Sequence, residues 1–430
     1  MRVAILGFGK EGMSLKKFLR RDPRYKRAVI EVRDLKQGKQ YLKGLNSFDI
    51  VFRSPGIPYL TPEIQNVKKK GVIISSATKL FFEEISLLPK SKQPKLIGIT
   101  GSKGKGTTAT LLYEILKNAG KKVVLAGNIG TPMLDVLKKT KSAEYVILEL
   151  SSFQLQDLTT SPQIAVVVEM FPEHLDHHKN TNEYLHAKSS ITRFQKPGDA
   201  VFYFGDNPLS KKVIAGGKGK KIPIYPTQKS VKKNFEMARA IALYLKIPIS
   251  VIDAATAEFK GLEHRLEFVR KIPITPAYHA HPSAIYFYNY SAATNPEAAA
   301  LAIRSFHAPL ILLAGGKDKG LDYTILGKEI YHTRNVQMIV LFGENKEKIR
   351  AGIMHEFRNS KKTIAAPHLL LTKNLPEALK TAFAFAKSAT TNGYWLNAVV
   401  LFSPASASFD QFKNYAERGK TFKRLVQRLK

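Results

Sequence analysis

Short apolar runs rich in Val, Ile and Leu alternate with polar or helix-patterned segments along the chain. Near its start, "RVAILGFG", "AVIEVRD", "FDIVFRSPG" and "GVIISS" are such runs. β-Branched runs separated by helical stretches predict parallel strands joined by crossover helices. The proline-broken, basic "LLPKSKQPK" predicts a linker. Beyond it, "KLIGIT" predicts a strand and "TTATLLYEILKNAG" a helix. Leu111, Leu112, Ile115, Leu116 and Ala119 fall on one stripe of that helix, and Gly120 stands where it should stop. "KVVLAGNIG", "YVILELSS" and "IAVVVEMFPEH" predict further strands with polar residues at their carboxyl ends, the edge where open α/β sheets bind ligands. After "GLEHRLE" a third rhythm begins, with strands at "AIYFYNYS", "LILLAGG", "MIVLFGE" and "VVLFSPAS" and helices at "NPEAAALAIRSF" and "LPEALKTAFAFAKSA". The pattern predicts an α/β protein of three units in series.

Composition agrees with that count, since 430 residues suit about three domains. No apolar stretch reaches about 18 residues, so no membrane span is expected. The opening "MRVAILGFGKEG" reads as a strand and a glycine turn rather than a signal peptide. The absence of cysteine excludes disulfides and thiol catalysis and fits a cytoplasmic location. The charge balance is unusual: 68 Lys and Arg against 34 Asp and Glu, a net +34. A general lysine bias on solvated faces, steering of acidic substrates and nucleic-acid binding would each produce it. The lysines are scattered, and no helix-turn-helix or RNA-recognition signature accompanies them, which places nucleic acid last.

Three places carry candidate chemistry. Gly7, Gly9 and Gly12 form G-x-G-x-x-G directly after the first strand, and Asp34 ends the second, at the spacing of a nucleotide turn and its ribose-binding acid. A glycine turn that serves packing alone is the other reading. In "ITGSKGKGTTAT", Gly101 and Gly104 let a backbone bend around phosphate at a helix N-terminus. Lys105 supplies a cation and Thr107 or Thr108 a hydroxyl, although Gly106 interrupts the usual P-loop spacing. Glu149 ends the next strand, ahead of Ser151 and Ser152, and could hold a hard cation. "EHLDHH" then concentrates Glu173, His174, Asp176, His177 and His178, either as metal ligands or as a solvated loop.

In order, "TGSKGKGTT", "GNIGTP", "ELSSFQL", "EHLDHH", "YLHAKSSI", "GLEHRLE", "ATNPEA", "GGKDKGLDY" and "SPASASFDQFKNYAERGKTFKRLV" resemble the Mur ligase family of peptidoglycan synthesis, in particular its D-glutamate-adding branch. The resemblance implies a Rossmann-like UDP-substrate domain at 1–92, a P-loop ATPase domain at 93–263 and a Rossmann-like amino-acid domain at 264–430. It implies an enzyme that uses ATP to activate the carboxylate of UDP-N-acetylmuramoyl-L-alanine as an acyl phosphate, which the amine of D-glutamate captures. ATP would lie on Gly101, Ser102, Lys103, Gly104, Lys105, Gly106, Thr107 and Thr108, with Asn234 and Arg265. Mg²⁺ or Mn²⁺, as two ions, would take Thr107, Glu149, His174 and a CO₂-derived carbamate on Lys188. Lys105, His174 and Lys188 would be catalytic. Gly9, Lys10, Asp34, Ser54, Pro55, Gly56, Asn128, Ser151 and Gln154 would hold the UDP substrate. Thr294, Lys319, Ser408, Phe409 and Tyr415 would hold D-glutamate. A cytoplasmic monomer without nucleic-acid partners is expected. Tyr290 and Ala292 depart from the family's Asp and Lys in "YNYSAATN". The alternatives are a related or folylpolyglutamate synthase-like ligase with another acceptor, and a basic nucleic-acid-associated protein on an ATPase fold.

Overall fold

A computed structural model describes residues 1–174, 177–227, 232–277, 282–359 and 365–429. Its sixteen strands form three sheets. The first holds β1 (Arg2–Leu6), β2 (Val29–Arg33), β3 (Ile50–Arg53) and β4 (Ile73–Ser75) in the order β2-β1-β3-β4, all parallel. The second holds β5 (Lys95–Thr100), β6 (Val123–Gly127), β7 (Tyr145–Glu149), β8 (Ile164–Val167), β9 (Ala200–Phe204) and β10 (Lys220–Ile224). Its order is β10-β9-β8-β5-β7-β6, again all parallel.

The chain divides into two compact units, Met1–Phe259 and Lys260–Lys430. Both parallel sheets lie in the first. One apolar cluster runs through both. Leu15, Leu19, Phe81 and Phe82 from the first sheet's side join Leu134, Leu137, Val146 and Leu148 from the second. Burying such side chains is worth about 1.5–3 kcal/mol each, which favours one shared core over two small ones. A second cluster fills the other face of the second sheet, under the helices Lys105–Asn118 and Lys232–Tyr244.

The second unit carries β11 (Glu267–Ile274), β12 (Ser283–Asn289), β13 (Leu310–Gly315), β14 (Val336–Phe342), β15 (His368–Leu371) and β16 (Asn397–Phe402). They lie in the order β11-β12-β16-β13-β14-β15, with β11 antiparallel at one edge. Both faces of this sheet are covered, so β13 is buried along its whole length.

In each sheet the strand order reverses beside one strand: β1, β5 and β13. Loops leaving neighbouring strands diverge there, and the crevice they open is the natural ligand position of a parallel α/β sheet. Among the described residues no helix is long and apolar enough to cross a membrane.

Candidate functional site

The second sheet's crevice is built on the turn Gly101–Gly104. β5 feeds it, and the helix Lys105–Asn118 starts immediately after, with Gly104 as its left-handed N-cap at φ 97°. A Cβ at Gly104 would stand 2.2 Å from Asn234 Oδ1, so only glycine lets the turn and the helix Lys232–Tyr244 approach this closely. The free N–H groups of the helix start and its dipole make an anion site there. Lys105 folds back over the turn, and its Nζ donates to Gly101 O at 2.7 Å and Ser102 O at 2.9 Å. Thr107 is half-buried in the first helical turn. Thr108 Oγ1 and Asn234 Oδ1 are buried without a hydrogen-bond partner among the described residues.

Lys188, on the helix Thr181–Arg193, reaches the same turn from the other side. Its side chain is buried, and its Nζ donates to Gly101 O at 3.0 Å and Thr100 Oγ1 at 3.2 Å. Lys105 and Lys188 therefore share one carbonyl acceptor. Burial, then the charge of Lys105, push the Lys188 amine well below its ordinary range; Glu173 and Glu149 pull weakly the other way. Tyr184 walls the amine with its ring, 4.9 Å from Nζ, and its hydroxyl lies 2.8 Å from Ser102 Oγ.

Glu149 ends β7 and is buried. Asn128 Nδ2 donates to Glu149 Oε1 at 2.8 Å, and the Asn128 N–H donates to Glu149 O at 2.9 Å. The approach is close enough that a Cβ on Gly127 (φ 110°) would meet Glu149 O at 2.3 Å. Glu149 Oε2 is left buried with no hydrogen-bond partner among the described residues. A buried carboxylate oxygen in that state is costly unless a cation or donor completes it, so the residue fits a divalent ion of oxygen-ligand preference. Among the described residues no three of His, Asp and Glu converge as a metal site; Asp176 lies outside them.

The histidines separate into two kinds. His178 is tied into the fold: its Nδ1 lies 3.2 Å from Glu183 Oε1 and its Nε2 3.0 Å from Ser152 Oγ, and burial lowers its pKa. His174 keeps 45% of its side chain exposed, in a left-handed backbone at φ 57°. Phe153 gathers all three rings, with centroids 5.1 Å from His174 and 5.2 Å from His177 and His178.

In the first sheet, Gly9, Lys10, Asp34, Ser54, Pro55 and Gly56 line one cavity of about 390 Å³. Asp34 accepts from the N–H of Lys36 at 3.0 Å and of Phe8 at 2.7 Å, and these backbone bonds lower its pKa. Ser151 and Gln154 form a capping box at the start of the short helix after β7. Gln154 Nε2 continues to Glu11 Oε1 at 2.5 Å.

In the second unit, the loops after β13 and β16 are zipped together by Gly315 N donating to Pro404 O and Lys317 N to Ala407 O, both at 2.9 Å. Lys319 Nζ stands 5.6 Å from the ring centroid of Phe409, which is exposed, while Ser408 is buried. Thr294 is half-buried, and Arg265 and Tyr415 are exposed. Sequence reasoning overlooked Arg418. It is fully buried and donates to Ser291 O at 2.9 Å, Ser291 Oγ at 3.1 Å and Ala407 O at 3.1 Å, tying the segment after β12 to the loop after β16. Arg53 was also overlooked; its Nη2 donates to Phe153 O at 2.7 Å, joining the first sheet to the second. Only the pairing of segments far apart in sequence reveals either role.

Fold and site together define a multi-sheet α/β protein built around a P-loop turn. Residues 99–258 match the Mur ligase middle domain. The UDP-N-acetylmuramoylalanine–D-glutamate ligase of Acetivibrio thermocellus is 36% identical over 424 residues, covering 90% of this chain and 84% of that one. Its namesake from Clostridium kluyveri is 33% identical over 422 residues, covering 91% and 86%. The crystal structure of UDP-N-acetylmuramate–alanine ligase from Thermotoga maritima matches with a TM-score of 0.55 at 15% identity over 99% of both chains, a likeness of fold. The chain belongs to the Mur ligase family of enzymes.

Proposed function

We propose that this chain uses ATP to join D-glutamate to UDP-N-acetylmuramoyl-L-alanine in peptidoglycan precursor synthesis. The observation that carries the reading is the convergence of Lys105 and Lys188 on Gly101 O, at the switch-point turn of the second sheet. The names borne by its relatives support D-glutamate over another acceptor.

The cavity of the first sheet takes the uridine diphosphate, and Asn128, Ser151 and Gln154 guide the muramoyl-alanine toward the turn. The turn Gly101–Thr108 with Asn234 receives ATP, Lys105 neutralising the β and γ oxygens. Glu149, Thr107, His174 and a carbamate on Lys188 would hold divalent cations, which supply the charge neutralisation phosphoryl transfer needs. The environment of Lys188 supports a carbamate there: burial and the charge of Lys105 favour the neutral amine, the form that adds CO₂. The alanine carboxylate attacks the γ-phosphorus and ADP leaves. The neutral amine of D-glutamate, held by Thr294, Lys319, Ser408, Phe409 and Tyr415, then attacks the acyl carbon. The tetrahedral adduct loses its proton from nitrogen and expels phosphate, leaving the amide.

The test is phosphate release with UDP-N-acetylmuramoyl-L-alanine, ATP and a panel of D- and L-amino acids, the substrate carboxylate carrying ¹⁸O. Turnover with D-glutamate and one ¹⁸O in the released phosphate are expected. Turnover with another amino acid and none with D-glutamate would overturn the reading.

A further inference from the structure

Glu11 stands in the first turn of the helix Lys10–Arg21, directly after the glycine turn that ends β1. Its carboxylate turns toward the second sheet, where Oε1 accepts from Gln154 Nε2 at 2.5 Å. Gln154 is itself fixed, its Oε1 accepting from the Ser151 N–H at 2.9 Å. Glu11 Oε2 is buried and has no hydrogen-bond partner among the described residues. The same residue lines the first-sheet cavity beside Gly9, Lys10 and Asp34. It is thus an oriented acceptor, held on one side and unfinished on the other, at the wall of a ligand cavity.

The other groups of that cavity already have work. Asp34 spends its carboxylate on two backbone N–H groups. Gly9 and Lys10, at the helix start, suit a diphosphate. Glu11 lies toward Gln154, the side of the cavity that faces the second sheet. A carboxylate there repels a further phosphate and favours an O–H or N–H donor, which is discrimination by both attraction and repulsion. Burial raises the Glu11 carboxyl above its ordinary range, against the Gln154 bond and the nearby charge of Arg53.

We propose that Glu11 is a specificity-determining residue whose Oε2 accepts a hydrogen bond from a hydroxyl or amide N–H of the sugar that follows the diphosphate. This inference rests on the reading of the first-sheet cavity as the uridine diphosphate site.

Calorimetric titration of wild type, Glu11→Gln and Glu11→Ala with UDP and with UDP-N-acetylmuramoyl-L-alanine tests it. Glu11→Gln keeps an oxygen for Gln154 and turns the free acceptor into an N–H donor. UDP affinity should be unchanged in both variants, while the sugar-bearing ligand weakens by about tenfold or more in both. A Glu11→Gln protein that binds both ligands as wild type does would reduce Glu11 to a tether and overturn the proposal. Equal weakening of UDP and the sugar-bearing ligand would overturn it too, as damage to the turn. Wild type binding neither ligand would sink the cavity reading, and this inference with it. Wild type binding both while Glu11→Gln is indistinguishable sinks this inference alone.

Discussion

Lys188 is a lysine on a helix, and most helix lysines are solvated. Here the amine ends inside the protein on the carbonyl of Gly101, next to another lysine that uses the same acceptor. Desolvation and the Lys105 charge both disfavour its protonated form. The native pKa therefore lies below the ordinary 10.5 of the unfolded chain. Stability linked to this group is present above that value and is lost as pH falls toward the native pKa. Lys188→Met should then be more stable than wild type in denaturant titrations near neutral pH, and the gain should shrink as pH approaches the unfolded value. A gain that stays flat with pH would contradict the depressed pKa. The same neutral amine underlies the proposed carbamate. With ¹³C-bicarbonate, wild type should show a carbamate carbon resonance that Lys188→Ala lacks, and the variant's turnover should fall by about 100-fold or more. Unchanged turnover would remove Lys188 from the chemistry.

At the scale of the element, the turn Gly101–Gly104 depends on backbone shape as much as on Lys105. Gly104 sits at φ 97°, and a methyl group there meets Asn234. Gly104→Ala should cost about 1–3 kcal/mol of stability from left-handed strain and lower ADP affinity more than UDP affinity, measured by calorimetry on the folded protein. Undiminished ADP affinity would mean the turn does not hold the nucleotide. How legible each element was follows from burial. β5, β7, β13 and β16 are buried on both faces, so they read as unbroken apolar runs. β9, β10, β11 and β15 escaped notice; β9 lies inside the second sheet, whereas the other three are sheet edges. Lys220, Lys221 and Pro223 mark β10, Pro273 lies in β11, and β15 has only four residues; charge, proline and shortness are how edges avoid further pairing. The site divides in the same way. Glu149 ends a strand and Lys105 opens the helix after a glycine turn, where position alone announces them. Lys188 needed family motifs, since its helix spacing says nothing of the cavity it enters. Arg53 and Arg418 were silent because their partners, Phe153 and Ser291, are 100 and 127 residues away in sequence.

Across the molecule, 68 basic side chains face 34 acidic ones, and most of the excess is free to remain in water. Arg53 is not. It is 1% exposed, donates to Ile57 O at 2.8 Å and Phe153 O at 2.7 Å, and pairs with the buried Asp157 at 3.4 Å. Ile57 belongs to the first sheet's side and Phe153 and Asp157 to the second, so this cation spans the seam that the shared apolar cluster also crosses. Asp157 additionally accepts from Ser76 Oγ at 3.3 Å, and Ser14 Oγ donates to Asp135 Oδ1 across the same seam at 2.8 Å. Two sheets fastened by one core and one polar network should unfold together. Arg53→Ala leaves a carboxylate and two carbonyls buried without their partner, a loss of about 3–5 kcal/mol. For a unit of this size that amounts to a fall in melting temperature on the order of 10 °C. Calorimetry of the full chain should show one transition moving down intact while any transition belonging to Lys260–Lys430 stays in place. A first unit that splits into two transitions in the variant, one near the wild-type temperature, would show that the sheets are separately stable and that the seam is only a contact.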